Sequence, residues 1–234
     1  MTDLFRTRTV RWVAVLLAVL VLTGGAYNQG GRADSGSPGG AVQVSAVGGP
    51  LGDQARRDEG DPLAMGAVDA PVTLVMFSDY RCPFCARYAR VTQPELIERY
   101  VESGELRIEW RDFPIFGDAS LLGARAGRAA AAQDKFWEFI DAVYAAAPAN
   151  GHHDLTVEKL RDFAVQVDMP DLERFERGMT SDIHDEEIAG DMMQGRILGV
   201  TGTPAFIIDG HPLVGAQPNE VFVQIIEQSL APAN

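Results

Sequence analysis

The chain has 234 residues, a formal net charge of −13 and 2 cysteines. Such acidity excludes nucleic acid as an expected partner, because phosphates repel a negative surface. A single cysteine pair, in a chain long enough to bury a real core, excludes a small scaffold held together by disulfides.

The chain opens with Arg6, Arg8 and Arg11, followed by an unbroken apolar run from Trp12 to Leu22. That pattern is an export signal or a membrane anchor. A helix over Trp12–Tyr27 would span about 24 Å, short of the ~30 Å hydrocarbon core, and Gly24-Gly25-Ala26 is a loose cleavage site. Residues 1–27 are therefore expected to be a retained anchor with its N terminus in the cytoplasm, the alternative being secretion after signal cleavage. Either fate puts the remainder outside the cytoplasm, where a disulfide persists. Residues 28–60, rich in Gly, Ser, Pro and Asp, read as a flexible linker with an end-to-end distance of ~30 Å. The folded domain then occupies 61–231.

Val72-Thr73-Leu74-Val75-Met76-Phe77 is apolar and β-branched, which predicts a buried strand. Ser78-Asp79-Tyr80-Arg81-Cys82-Pro83-Phe84-Cys85 follows it, and then Tyr88, Val91, Leu96, Ile97 and Tyr100 recur at helical spacing. The cysteines thus sit where a strand turns into a helix. There the unpaired N–H groups and the positive end of the helix dipole favour a thiolate, the species that attacks disulfides. Cys82, earlier and expected to be the more exposed, is the candidate nucleophile, and Cys85, one turn later, the candidate resolving cysteine. Pro83 suits the first helical turn, and Phe84 carries no polar hydrogen, so stabilisation of a thiolate must come from backbone donors. A zinc site and a purely structural disulfide compete with this reading. Zinc wants four ligands, and His152, His153, His184 and His211 lie at no finger-like spacing. A loop this short gains only ~2 kcal/mol from cross-linking.

Glu105 to Phe113 alternates apolar and charged residues, predicting a strand with one solvated face. Helical patterning then dominates residues 118–198. It comprises an Ala-rich stretch from Leu121 to Gln133 and an aromatic segment, Phe136 to Tyr144, expected to be core. Three further helical segments are headed by Thr156, by Pro170 or Asp171, and by Asp182. His152-His153-Asp154 is expected to be a solvated loop rather than a metal site. Ala205-Phe206-Ile207-Ile208 and Leu213-Val214 flank Asp209-Gly210, a hairpin signature, and a last helix from Glu220 to Leu230 would cover the sheet. The only lysines, Lys135 and Lys159, have no functional account.

Ala70-Pro71-Val72, Phe77-Ser78-Asp79-Tyr80, Cys82-Pro83-Phe84-Cys85 and the downstream Gly202-Thr203-Pro204-Ala205-Phe206 together resemble the DsbA-like branch of the thioredoxin superfamily over roughly residues 60 to 230. The resemblance implies an α/β thioredoxin fold with a helical insertion at about 117–198. It also implies a redox-active Cys82–Cys85 disulfide and a cis peptide at Thr203-Pro204 that docks an extended cysteine-bearing peptide by main-chain hydrogen bonds. The implied activity is disulfide donation to newly exported proteins without a metal or organic cofactor, with re-oxidation by a quinone-linked membrane enzyme of the DsbB or VKOR type. A reductase or isomerase of the same fold is the first alternative and a non-catalytic peptide-binding or chaperone module the second; Thr203 leaves the direction of electron flow open. One departure stands out: the family commonly holds a buried acid six residues before the first cysteine, where this chain has Met76. Asp79 is the nearest acid and a candidate proton relay, though its strand position does not argue for burial.

Overall fold

A computed structural model of the chain describes residues 49–232. The N-terminal signal or anchor expected at 1–27, and the first part of the expected linker, lie outside the described residues. Among the described residues no helix is long and apolar enough to cross a membrane.

The central strands form where the apolar runs predict them. β2 (Val72–Ser78) is buried along its whole length and lies parallel to β3 (Leu106–Asp112). β4 (Ala205–Ile208) pairs antiparallel to β2, and β5 (His211–Val214) pairs back on β4. A two-residue strand absent from the sequence reading, β1 (Ala64–Met65), adds antiparallel to β3, giving the order β1-β3-β2-β4-β5. The β4–β5 turn is made by Asp209 and Gly210, both at positive φ (47 and 78°), as the Asp-Gly pair predicts.

The crossover from β2 to β3 is not one continuous helix. α1 (Pro83–Val91) ends at Thr92, α2 (Gln93–Leu96) contains Pro94, and a π-helical turn (Ile97–Val101) completes the connection. Pro94 lacks the N–H that a continuous helix would need at that point. The insertion consists of α3 (Asp118–Ala131), α4 (Phe136–Ala145), α5 (Val157–Gln166), α6 (Leu172–Thr180) and α7 (Asp185–Ile197), and α8 (Asn219–Leu230) follows the hairpin. On α4, Phe136, Phe139, Ile140, Val143 and Tyr144 are all buried, as expected of core.

Alternation along β2 and β3 divides the core in two. Leu74 and Met76, beside Ile108 and Trp110, pack in the large cluster with α1, α4 and α8. Val75 and Phe77 belong to the opposite face, with Phe113, Ala205 and Ile207.

On that second face the structure corrects two expectations. Arg107, Glu109 and Arg111 of β3 are not solvated but at most 4% exposed. The supposed linker residues 49–60 help to cover them, together with α7. Gly49 and Leu51 donate backbone N–H groups to the carbonyls of Asp209 and Gly210. The N–H groups of Arg56 and Arg57 reach the Glu109 carboxylate at 2.8 and 2.9 Å, and the Arg56 guanidinium pairs with Asp191 of α7. Any linker therefore ends before residue 49. Alternation of charge suggested solvent, but the charges instead pair with one another and with this strap. Arg107 and Arg111 both pair with Glu109, and Arg128 bridges Asp112 and Asp191. Glu109 is held down to about 2: burial opposes its ionisation, but Arg107, the Arg56 N–H, Arg111 and the Arg57 N–H prevail.

Candidate active site

Cys82 is the N-cap of α1, in an extended conformation (φ −73°, ψ 119°) with Pro83 in the first turn. The cap side chain is a sulfur, and it accepts the Cys85 N–H at 3.4 Å. The peptide between Thr203 and Pro204 is cis, and the Thr203 carbonyl accepts the Cys82 thiol at 3.2 Å. A hydrogen bond from the Cys85 thiol, aided by the N–H groups of Cys85 and Phe84, brings the Cys82 thiol down to about 6 against the opposing effect of burial. The Cys85 thiol is pushed well above the ordinary range, first by burial and then by Cys82. The two sulfurs of one motif are thus driven apart in acidity by position alone.

The expected difference in exposure is absent: Cys82 and Cys85 are each 1% exposed. The N-cap geometry turns the Cys82 side chain back over the first turn, under Thr203. Phe84, at 58% exposed, is the prominent residue of the motif. It lines a groove of about 420 Å³ with Pro83, Arg87, Arg90, Ala149, Asn150 and Gly151.

Asp79 is fully buried, contrary to its strand-based reading. Its Oδ1 accepts the Arg81 N–H and the Ser120 hydroxyl, both at 2.8 Å, while Oδ2 accepts the N–H groups of Ile115 (2.7 Å) and Phe116 (3.4 Å). Burial raises its pKa and these four donors oppose the rise. The carboxylate thereby ties the active-site turn to the loop after β3 and to α3. Arg81 continues the same scaffold, donating to the carbonyls of His153 (2.7 Å) and Phe116 (2.6 Å). His153 is buried, its N–H returning to the Arg81 carbonyl, and His152 stacks on Phe116 with ring centroids 4.0 Å apart. Within the histidine loop, His153 is thus packed beside the active site, while His152 and Asp154 are exposed as expected.

Two residues of the site escaped the sequence reading. Ser78, at the end of β2, is buried, and its hydroxyl lies 2.9 Å from the Tyr144 hydroxyl. Ser78 could have been flagged as the one polar residue closing an apolar strand. Nothing in the sequence places Tyr144, 66 residues away, against it.

A family model described as Thioredoxin matches residues 58–228. Over 167 residues the sequence is 30% identical to a probable disulfide bond formation protein D of Bacillus anthracis, covering 67% of this chain and 76% of that protein. The fold matches the crystal structure of oxidised BdbD from Bacillus subtilis with a TM-score of 0.69 at 22% identity, over 79% of this chain and 97% of the other. A thioredoxin-like oxidoreductase from Silicibacter pomeroyi matches with a TM-score of 0.62 at 27% identity, over 75% and 100% respectively.

Proposed function

This chain belongs to the thioredoxin family, as a DsbA-like thiol–disulfide oxidoreductase, and from that premise we propose that it works outside the cytoplasm, passing its Cys82–Cys85 disulfide to newly exported proteins. The client thiolate attacks the Cys82 sulfur, a client–Cys82 bond forms, and the Cys82–Cys85 bond breaks with its electron pair on Cys85. A second client thiolate then attacks the client's own sulfur in the mixed disulfide and releases Cys82. The oxidised client leaves and the dithiol protein remains.

The observation that carries this reading is the Cys82 sulfur acting as the cap of α1, with its acidity near 6. A thiol that stays ionised at neutral pH is a good leaving group and favours the reduced protein, so the disulfide is readily given away. Lowering one thiol from 9.0 to about 6 favours the dithiol form by up to about tenfold at pH 7, or ~30 mV for a two-electron couple. The Thr203 main chain beside Cys82 suits docking of an extended client strand, with Pro204 fixing the turn and Phe84 with its groove touching the client's flank. A DsbB- or VKOR-type quinone-linked oxidase would restore the disulfide, and residues 1–27 would hold the domain near it.

Equilibration with glutathione buffers tests the direction of flow. A potential well above that of thioredoxin is expected, and one near or below it assigns the chain as a reductase. Cys82→Ser should abolish transfer and Cys85→Ser should trap mixed disulfides; identical behaviour of the two variants would refute the assigned roles.

A further inference from the structure

We propose that the groove beside Phe84 selects clients by charge, with Arg87 and Arg90 taking a carboxylate that stands a few residues from the client cysteine. The inference deepens the proposed exchange by naming a class of client segment, and it rests on Cys82 being the sulfur that the client attacks.

One side of α1 is core: Cys85, Ala86 and Tyr88 are buried. Phe84, Arg87 and Arg90 follow one another in steps of three, the slanting row of a helix surface, and all three are exposed. They line the groove of about 420 Å³ whose other wall is the loop Ala149-Asn150-Gly151 after α4. Two guanidinium groups therefore border a concave surface to which no carboxylate contributes.

In a chain of net charge −13, that runs against composition. Other arginines nearer the surface find acids: Arg99 pairs with Glu95, Arg125 with Asp185 and Arg161 with Glu176. Among the described residues Arg87 makes neither an ion pair nor a side-chain hydrogen bond. Arg90 commits Nη1 alone, to the carbonyls of Tyr144 (2.5 Å) and Ala147 (3.1 Å) at the end of α4. Those carbonyls hold the side chain in place without cancelling a full charge, and its Nε and Nη2 stay open. A guanidinium fork matches a carboxylate edge to edge, and the positive end of the α1 dipole adds to the same field.

The spacing says where that carboxylate stands in a client. Arg87 lies five residues along α1 from Cys82, ~7.5 Å at the helical rise. Two residues of an extended strand cover ~6.6 Å, and strand alternation returns the second side chain to the face that carries the cysteine. A Glu or Asp two residues from the client cysteine is thus level with Arg87, and one further along reaches Arg90. The Phe84 ring, 58% exposed, lies between sulfur and charge and gives the segment an apolar seat.

The test uses dithiol peptides carrying Glu, Gln or Lys two residues outward from each cysteine, mixed with the oxidised protein. Each rate is divided by that of the same peptide with hydroxyethyl disulfide, which removes differences in thiol reactivity. At low ionic strength the Glu peptide should be oxidised about fivefold faster than the Gln peptide, the upper range for an exposed ion pair, and the Lys peptide slowest. Salt near ~1 M should bring the three together. Arg87→Gln should cut the Glu-to-Gln ratio below about twofold, and Arg87→Glu should invert the order in favour of Lys. Arg174→Gln, which removes an exposed arginine of α6 outside the groove, should keep the wild-type ratio. Reading each variant as a ratio between peptides cancels any general change in its exchange rate, and the exposed, unbonded Arg87 side chain makes its variants safe for folding. Equal rates for the three peptides, an unchanged ratio in Arg87→Gln, or an equal loss in Arg174→Gln would overturn the proposal. So would binding to phosphatidylglycerol vesicles that Arg87→Gln loses while the peptide ratio holds, which assigns the groove to anionic lipid. Oxidation of none of the peptides defeats the exchange assignment and this inference with it, whereas equal oxidation of all three defeats only selection by charge.

Discussion

At Cys82, acidity comes from a cap rather than from a neighbouring cation. The largest contribution is the Cys85 thiol, with two backbone N–H groups adding to it against burial. Alkylation by iodoacetamide should therefore titrate with a midpoint near 6, and Cys85→Ala should move that midpoint upward by removing the principal donor. A midpoint above 8 in the wild-type protein would sink the account. The linkage has a definite sign: a thiol depressed from 9.0 to about 6 stabilises the reduced fold fully above about 9, and that contribution is lost as pH falls towards 6. Asp79 is the second residue on which the site stands. Asp79→Asn keeps the volume but turns an N–H₂ towards groups that are all donors, so urea unfolding should show a loss of ~2–3 kcal/mol, with exchange slowed as the active-site turn loosens.

At the scale of elements, α3 can approach the active-site turn only because two of its residues lack a side chain. A Cβ on Gly127 would lie 1.7 Å from the Tyr80 hydroxyl oxygen, and one on Gly123 would lie 2.9 Å from the Tyr80 Cβ. Tyr80 is itself 1% exposed and meets Trp110 edge-on with centroids 5.2 Å apart. Gly127→Ala, which raises helix propensity on paper, should nevertheless destabilise the protein by ~1–3 kcal/mol in thermal unfolding, because Tyr80 has nowhere to retreat. An unchanged or raised Tm would show that α3 shifts freely. The charged row of β3 tells a similar story about elements: the same alternation that signals a solvated face also describes a face closed by ion pairs, and local pattern does not distinguish them.

For the molecule as a whole, the strap of residues 49–60 is structural. It supplies two of the N–H donors to Glu109 and the Arg56 partner of Asp191, two acids that are essentially unexposed. A chain beginning at Asp61 should be ~3–5 kcal/mol less stable in urea, since it strands buried charge. Its acid unfolding should also shift to higher pH. Glu109 is depressed from 4.5 to about 2, so its contribution is complete above 4.5 and is lost as pH falls towards 2; removing two donors shortens that window from below. Circular dichroism across pH 2–6 would check this, and superimposable curves for the two chains would refute it.

The linear pattern determined the strands β2 to β5, the helical insertion, the position of Cys82 and Cys85 at a strand-to-helix turn, and the turn at Asp209-Gly210. All of these follow from periodicity, turn chemistry and spacing along a few consecutive residues. Tertiary structure alone decided the burial of both cysteines, the burial of Asp79 among four donors, the pairing of Ser78 with Tyr144, and the closure of the β3 charges by a segment whose composition resembles a linker. Each of those depends on groups tens of residues apart meeting in a volume without water, where a polar atom must find a partner. No local pattern encodes which partner that will be.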